Sequence, residues 1–162
     1  MSIPAALPKG LLACVLVAVL NAAAWAVITP PFQVPDEPAH VGYVQYLAET
    51  GRLPALTLGV DFSDELERAV WSVPFSTEGD PTWNPARSAL IAEMLDRPLG
   101  RVDPLTAGYA SGNPPLYYAL LTLPYHATAS ATLLDRLIAM RLISALMTGL
   151  LVAFVFLSLI HI

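Results

Sequence analysis

The sequence predicts an all-α membrane protein with about three transmembrane helices and a large exterior loop that carries short amphipathic helices. Of its 162 residues, 56% are hydrophobic and only 13% are charged, whereas soluble domains average about 25% charged residues. Two uncharged apolar runs, residues 11–28 and 142–160, are each long enough to cross most of a bilayer core of about 30 Å. A polar, proline-rich stretch separates them.

The charge distribution is uneven. The formal net charge is -5, and twelve of the thirteen acidic residues lie between Asp36 and Asp103. A nucleic-acid partner is excluded, because nucleic-acid-binding domains present a basic face. The single cysteine, Cys14, excludes both an intramolecular disulfide and a cysteine metal cluster.

The first apolar run predicts a transmembrane helix over residues 11–28, preceded by a cytoplasmic N-terminus, residues 1–10. A cleaved signal peptide is the alternative, because Ala22-Ala23-Ala24 resembles a small-residue cleavage site. The run continues past those alanines to Ile28, and Trp25 suits a membrane interface. These residues favour an uncleaved anchor.

Residues 29–113 are predicted to form an extracytoplasmic loop with short helices. Asp36 is a suitable N-cap for a helix over residues 37–50, and Gly51 is a stop signal. Two further start signals follow. Ser63 predicts a helix over 64–72, and Asn84-Pro85 predicts one that ends near Leu95.

The C-terminal part of the chain predicts two more membrane segments. Residues 114–131 form a short apolar stretch that predicts a transmembrane helix containing Pro124. A cytoplasmic turn over 132–141 and a transmembrane helix over 142–162 follow. The last apolar run continues to the final residue, so we expect further, missing C-terminal transmembrane helices.

The basic residues outside the loop predict the orientation. If all three segments cross the membrane, Lys9, Arg136 and Arg141 fall on one side, which the positive-inside rule makes cytoplasmic. We therefore expect an integral protein of the plasma membrane with loop 29–113 outside. Arg141 is interpreted as a cytoplasmic anchor that reaches the interface, although contact with a lipid phosphate is an alternative.

Asp36 and Glu37 lie a few residues beyond the first apolar run and are candidate catalytic carboxylates at a membrane surface. His40 lies one helical turn after Asp36, within reach of a shared proton or ligand. Capping of the helix by Asp36 is the simpler alternative. A divalent metal is possible but not supported, because the pair needs one or two further ligands and no matched second pair is present. No cofactor is identified.

The order of the motifs carries a resemblance. An apolar first helix, then PDEPAH, a long loop that ends in NPPLYY, and RLIS before another apolar run resemble the N-terminal region of glycosyltransferases of the GT-C superfamily. The chain is most similar to the domain-of-unknown-function 2142 family of polytopic membrane proteins. The resemblance covers nearly the whole chain as the first part of a larger protein.

The resemblance implies an integral membrane glycosyltransferase that moves a sugar from a polyprenyl-phosphate donor to an extracytoplasmic acceptor. Asp36 would be the catalytic base with Glu37 in support. His40, Asn113, Tyr117 and Tyr118 would contact substrate, although relatives often carry histidine at the position of Asn113. The fragment alone would be inactive without its missing helices.

Other readings remain open for the same residues. Tyr117 and Tyr118 also suit an aromatic belt at the start of a transmembrane helix. The alternative function is a non-catalytic polytopic protein, a transporter or an assembly subunit, whose acidic loop binds a partner.

Overall fold

The structure is a computed structural model, and it describes residues 8–55, 62–73, 84–97 and 108–160. In these ranges every regular element is a helix. The elements are α1 (Lys9–Ile28), α2 (Glu37–Thr50), α3 (Asp64–Ser72), α4 (Pro85–Asp96), a 3-10 helix (Gly108–Gly112), α5 (Pro115–Ala127) and α6 (Leu133–Ile160). The chain divides into two compact units. Residues 1–28 and 141–162 form the first unit, and residues 29–140 form the second.

The three short helices predicted in the loop are present at the expected positions. The Ser63 hydroxyl accepts a hydrogen bond from the Leu66 N–H at the start of α3. The Asn84 side chain accepts one from the Ala86 N–H at the start of α4. Gly51, at φ 65°, ends α2 in the left-handed conformation that glycine adopts without strain. Local capping chemistry therefore determines these bounds.

The first unit contains α1 and the apolar part of α6. Among the described residues, these two helices are long and apolar enough to cross a membrane, and only 11% of the most apolar window of each is buried. They approach each other closely at Gly149, where a Cβ atom would clash with a methyl carbon of Val19. At the end of α1, Arg141 donates a hydrogen bond of 3.0 Å to the Ala26 carbonyl oxygen. Arg141 thereby satisfies one of the carbonyls that a helix C-terminus leaves without an intrahelical partner.

Helix α5 covers only part of the second predicted span, residues 114–131. It has 13 residues, a length of about 20 Å at 1.5 Å per residue, and a bilayer core is about 30 Å thick. The crossing at 114–131 stays a prediction.

Helix α6 begins within the segment 132–141, for which the sequence predicted a turn. The reason is a capping box. The Thr132 hydroxyl accepts a hydrogen bond from the Asp135 N–H, and the Asp135 carboxylate accepts from the Thr132 N–H. The polar pair Asp135-Arg136 thus belongs to the first turn of a 28-residue helix.

The second unit is organised around α2, which packs along α5 and also contacts α3 and the 3-10 helix, while α3 packs on α4. A buried polar network joins these helices. Arg136 forms an ion pair with Glu65, and the side chains of both are fully buried. Arg136 also donates to the Tyr125 hydroxyl over 3.0 Å, and Tyr125 donates to Glu49. The network ties α5 and the first turn of α6 to α2 and α3.

Candidate functional site

The segment before α2 has an unusual backbone. Phe32, at φ 59°, and Asp36, at φ 71°, both adopt the left-handed conformation, which is rare for a bulky side chain such as phenylalanine. Phe32 is nonetheless buried. Its N–H donates a 2.7 Å hydrogen bond to the Glu37 carboxylate. This bond and the burial of the ring hold the segment in its shape.

Asp36 does not cap α2 in the way the sequence predicted. It occupies the N-cap position, but its side chain makes no capping hydrogen bond. The reason is its left-handed backbone, because a capping side chain reaches the first N–H groups of a helix from an extended residue. The Asp36 side chain is exposed. The simple capping explanation for this carboxylate is therefore wrong.

A cluster of polar side chains lies one turn along α2. The Tyr118 hydroxyl is 2.8 Å from Nδ1 of His40 and accepts a 2.9 Å hydrogen bond from the Asn113 amide. The Tyr118 hydroxyl can therefore donate a hydrogen bond to Nδ1. In that arrangement the ring proton of neutral His40 lies on Nε2. In that arrangement His40 keeps a donor for another group.

Aromatic stacking fixes the position of Tyr118. Its ring stacks on Tyr43 with centroids 3.8 Å apart and an interplanar angle of 14°. Both rings are buried. Burial raises the pKa of the Tyr43 phenol above its ordinary value, so this group is a protonated donor at neutral pH. Its hydroxyl lies 3.5 Å from the Asn113 carbonyl oxygen.

These side chains border an open groove of about 500 Å³, here called the tyrosine groove. Its lining residues are His40, Asn113, Pro114, Leu116, Tyr117 and Tyr118. All four residues that the sequence suggested as substrate contacts therefore lie along one groove. His40 and Asn113 lie more than 70 positions apart in the sequence, and the packing of α2 against α5 brings them together.

The two candidate catalytic carboxylates are placed differently. Neither Asp36 nor Glu37 lines the tyrosine groove. Asp36 precedes His40 by one helical turn, and its carbonyl accepts a hydrogen bond of 3.1 Å from the His40 N–H. Glu37 is turned back toward Phe32. The exposed carboxylate of the pair is Asp36, while Glu37 supports the local backbone.

The donors around the groove define the chemistry that it can support. Imidazole, phenol and amide groups bind phosphate or sugar hydroxyls, and an exposed carboxylate accepts a proton. Among the described residues, no three His, Cys, Asp or Glu side chains come together as a metal site would require.

Sequence reasoning missed the buried network that holds the groove's two helices together. Glu65 and Arg136 are 71 positions apart, and neither belongs to a motif. The Thr132-to-Asp135 spacing was the one available signal, because it marks a helix start. It would have indicated that Arg136 lies in a helix, but not that it contacts Glu65.

A family described as "Predicted membrane protein (DUF2142)" matches residues 19–161 of the chain. The matched range contains the groove, the carboxylate pair and the buried network. No curated protein and no solved structure matches the chain.

Proposed function

This chain belongs to the DUF2142 family of predicted membrane proteins, and on that premise we propose that it is part of a membrane glycosyltransferase. The reaction moves a sugar from a polyprenyl-phosphate donor to an acceptor hydroxyl outside the cell. The observation that carries the proposal is the juxtaposition of an exposed carboxylate, Asp36, with the tyrosine groove one helical turn away.

The groove suits the donor's phosphate and sugar. His40 and Asn113 are hydrogen-bonded through Tyr118, so their positions are set before a ligand arrives. A preorganised set of donors loses little entropy on binding and holds developing charge well. Leu116 and Tyr117 add apolar surface at the groove, which suits the first carbons of a lipid chain.

Asp36 has the role of general base. Its carboxylate takes the proton of the acceptor hydroxyl as the oxygen attacks the anomeric carbon. The bond between that carbon and the phosphate oxygen breaks, and the polyprenyl phosphate leaves with the electron pair. Glu37 acts as a positioning residue through its bond to the Phe32 N–H. Backbone strain of the kind seen at Phe32 and Asp36 is concentrated at functional sites.

The proposal is tested by sugar transfer in membranes of cells that produce the protein. A panel of radiolabelled polyprenyl-phosphate sugars is supplied to wild type, Asp36→Asn and Asp96→Asn. Asp96 is the matched control, an exposed carboxylate at the end of α4. Transfer that is present in wild type and the control but lost in Asp36→Asn is the expected result.

Two outcomes would contradict the proposal. Sugar transfer that persists in Asp36→Asn would show that Asp36 is not the general base. No transfer from any donor, in membranes that contain ample wild-type protein, would favour a transporter or assembly subunit whose acidic loop binds a partner.

A further inference from the structure

Helix α5 has two apolar faces. One face is buried in the second unit and carries Tyr118, Leu121 and Tyr125. The opposite face carries Leu116, Leu120 and Leu123, which are 72%, 40% and 68% exposed. These three residues are here called the leucine stripe. The spacing of i, i+4 and i+7 places these three leucines in one row. Residues 115–127 contain no Asp, Glu, Lys or Arg.

Both ends of α5 are attached to the same helix of the second unit, α2. Near its start, Tyr118 contacts His40 and Tyr43 of α2. Near its end, Tyr125 bonds to Glu49, the penultimate residue of α2. The two helices therefore run side by side in the same direction, over nearly their whole lengths.

The ion pair beyond α5 is incompatible with a membrane crossing. If residues 114–131 spanned the bilayer, Arg136 would lie on the opposite side from Glu65 of the predicted exterior loop. The two side chains are in direct contact and fully buried together. They must therefore lie on the same side of the membrane.

The lengths of the helices agree with this placement. Helix α6 has 28 residues, about 42 Å at 1.5 Å per residue. Its first eight residues belong to the second unit, and residues 142–160 alone extend about 28 Å, close to the thickness of a bilayer core. The span after the loop is thus supplied by α6.

We propose that α5 is an interfacial helix whose leucine stripe inserts into the acyl chains of the lipid leaflet on its own side of the membrane. The described chain then crosses the membrane twice, through α1 and residues 142–160. Acyl chains are the fitting occupant because the five residues 128–132 connect α5 to α6, and residues 142–160 of the same helix α6 cross the membrane. Leu116 belongs to both the stripe and the tyrosine groove, so the groove lies at the lipid surface.

The first test measures how deeply the stripe lies in lipid. In a Cys14→Ser background, a fluorophore is attached to Leu123→Cys or, as a control, to Glu67→Cys, an exposed charged position on α3. The protein is reconstituted in phosphatidylcholine and phosphatidylglycerol vesicles that contain lipids spin-labelled at shallow or deep acyl positions. The Leu123 probe should be quenched several-fold more strongly by the shallow label than by the deep one. The Glu67 probe should be quenched by aqueous iodide instead.

The second test determines the side of the membrane at each end of α5. Single cysteines replace the exposed residues Gly112 and Ser130, and a membrane-impermeant maleimide is added to sealed vesicles of known orientation. Both sites should react from the same side. Reaction from opposite sides, or strongest quenching by the deep label, would establish a span and overturn the proposal.

Absence of lipid quenching at Leu123 would also overturn it, because water or a protein partner would then cover the stripe. Neither test depends on sugar transfer. The interfacial placement of α5 and the proposed enzyme activity can therefore fail separately.

Discussion

The Tyr118 hydroxyl lies 2.8 Å from Nδ1 of His40, which connects the start of α5 to the first turns of α2 through one phenol. The same oxygen accepts a hydrogen bond from Asn113. Three side chains that the sequence suggested as substrate contacts therefore form one hydrogen-bonded unit. The orientation of each depends on the other two.

Tyr118→Phe should lower sugar transfer more than it lowers stability. The variant keeps the stack on Tyr43 but removes the oxygen that orients His40 and Asn113. Loss of the hydroxyl should reduce the free energy of unfolding by about 1–2 kcal/mol, while the transfer rate falls about tenfold or more. Tyr46→Phe, on α2 but outside the groove, is the control. Equal transfer rates for the two variants would show that the hydroxyl has no role in the groove.

Asp36 and Glu37 should respond differently to substitution. Glu37→Ala removes the acceptor for the buried Phe32 N–H and should destabilise the protein by about 1–3 kcal/mol. Asp36→Asn should leave stability within about 0.5 kcal/mol, because the Asp36 side chain makes no capping bond. Thermal unfolding of the purified protein in detergent measures both. A larger loss for Asp36→Asn than for Glu37→Ala would contradict the assignment of Glu37 as the positioning residue.

The buried ion pair should be strongly coupled. Glu65→Leu or Arg136→Met alone leaves an uncompensated buried charge and should cost about 3–5 kcal/mol. The double variant removes both charges and should recover more than half of the summed loss. The exposed pair of Arg97 and Glu93 is the comparison, since Arg97→Met should cost about 0.5 kcal/mol or less. Additive losses at Glu65 and Arg136 would show that the two side chains do not interact.

Local signals predicted the helix bounds well and the long-range contacts poorly. The bounds of α2 and α3 follow from Gly51 and from Ser63, each of which acts on its own neighbours in the chain. The sequence did not predict the left-handed backbone of Asp36. That conformation accompanies the hydrogen bond from the Phe32 N–H to Glu37, and no capping signal in the sequence indicates this bond. The pairing of Glu65 with Arg136 was also missed, because nothing local to either residue encodes it.

The candidate site was predicted in its composition but not in its arrangement. His40 and Asn113 were selected by their motifs, and the packing of α2 against α5 brings them together. The sequence made both carboxylates catalytic candidates, with Asp36 as the base and Glu37 in support. Only the three-dimensional structure distinguishes the exposed Asp36 from Glu37, which is bonded to the backbone.

The close approach of α1 and α6 should depend on the small size of residue 149. Gly149→Ala places a Cβ against Val19, whose branched side chain has few alternative rotamers. Overpacking of this kind should cost about 1–3 kcal/mol. Val19→Ala in the same chain should restore most of the loss, as measured by thermal unfolding in detergent. A double variant no more stable than Gly149→Ala would show that the loss of stability does not come from contact with Val19.

The most direct test of the central claim is the dependence of the initial transfer rate on donor concentration for wild type and Asp36→Asn. If Asp36 is the general base, kcat should fall at least about 100-fold, while KM for the polyprenyl-phosphate sugar changes little because the tyrosine groove is intact. An unchanged kcat in Asp36→Asn would contradict the account.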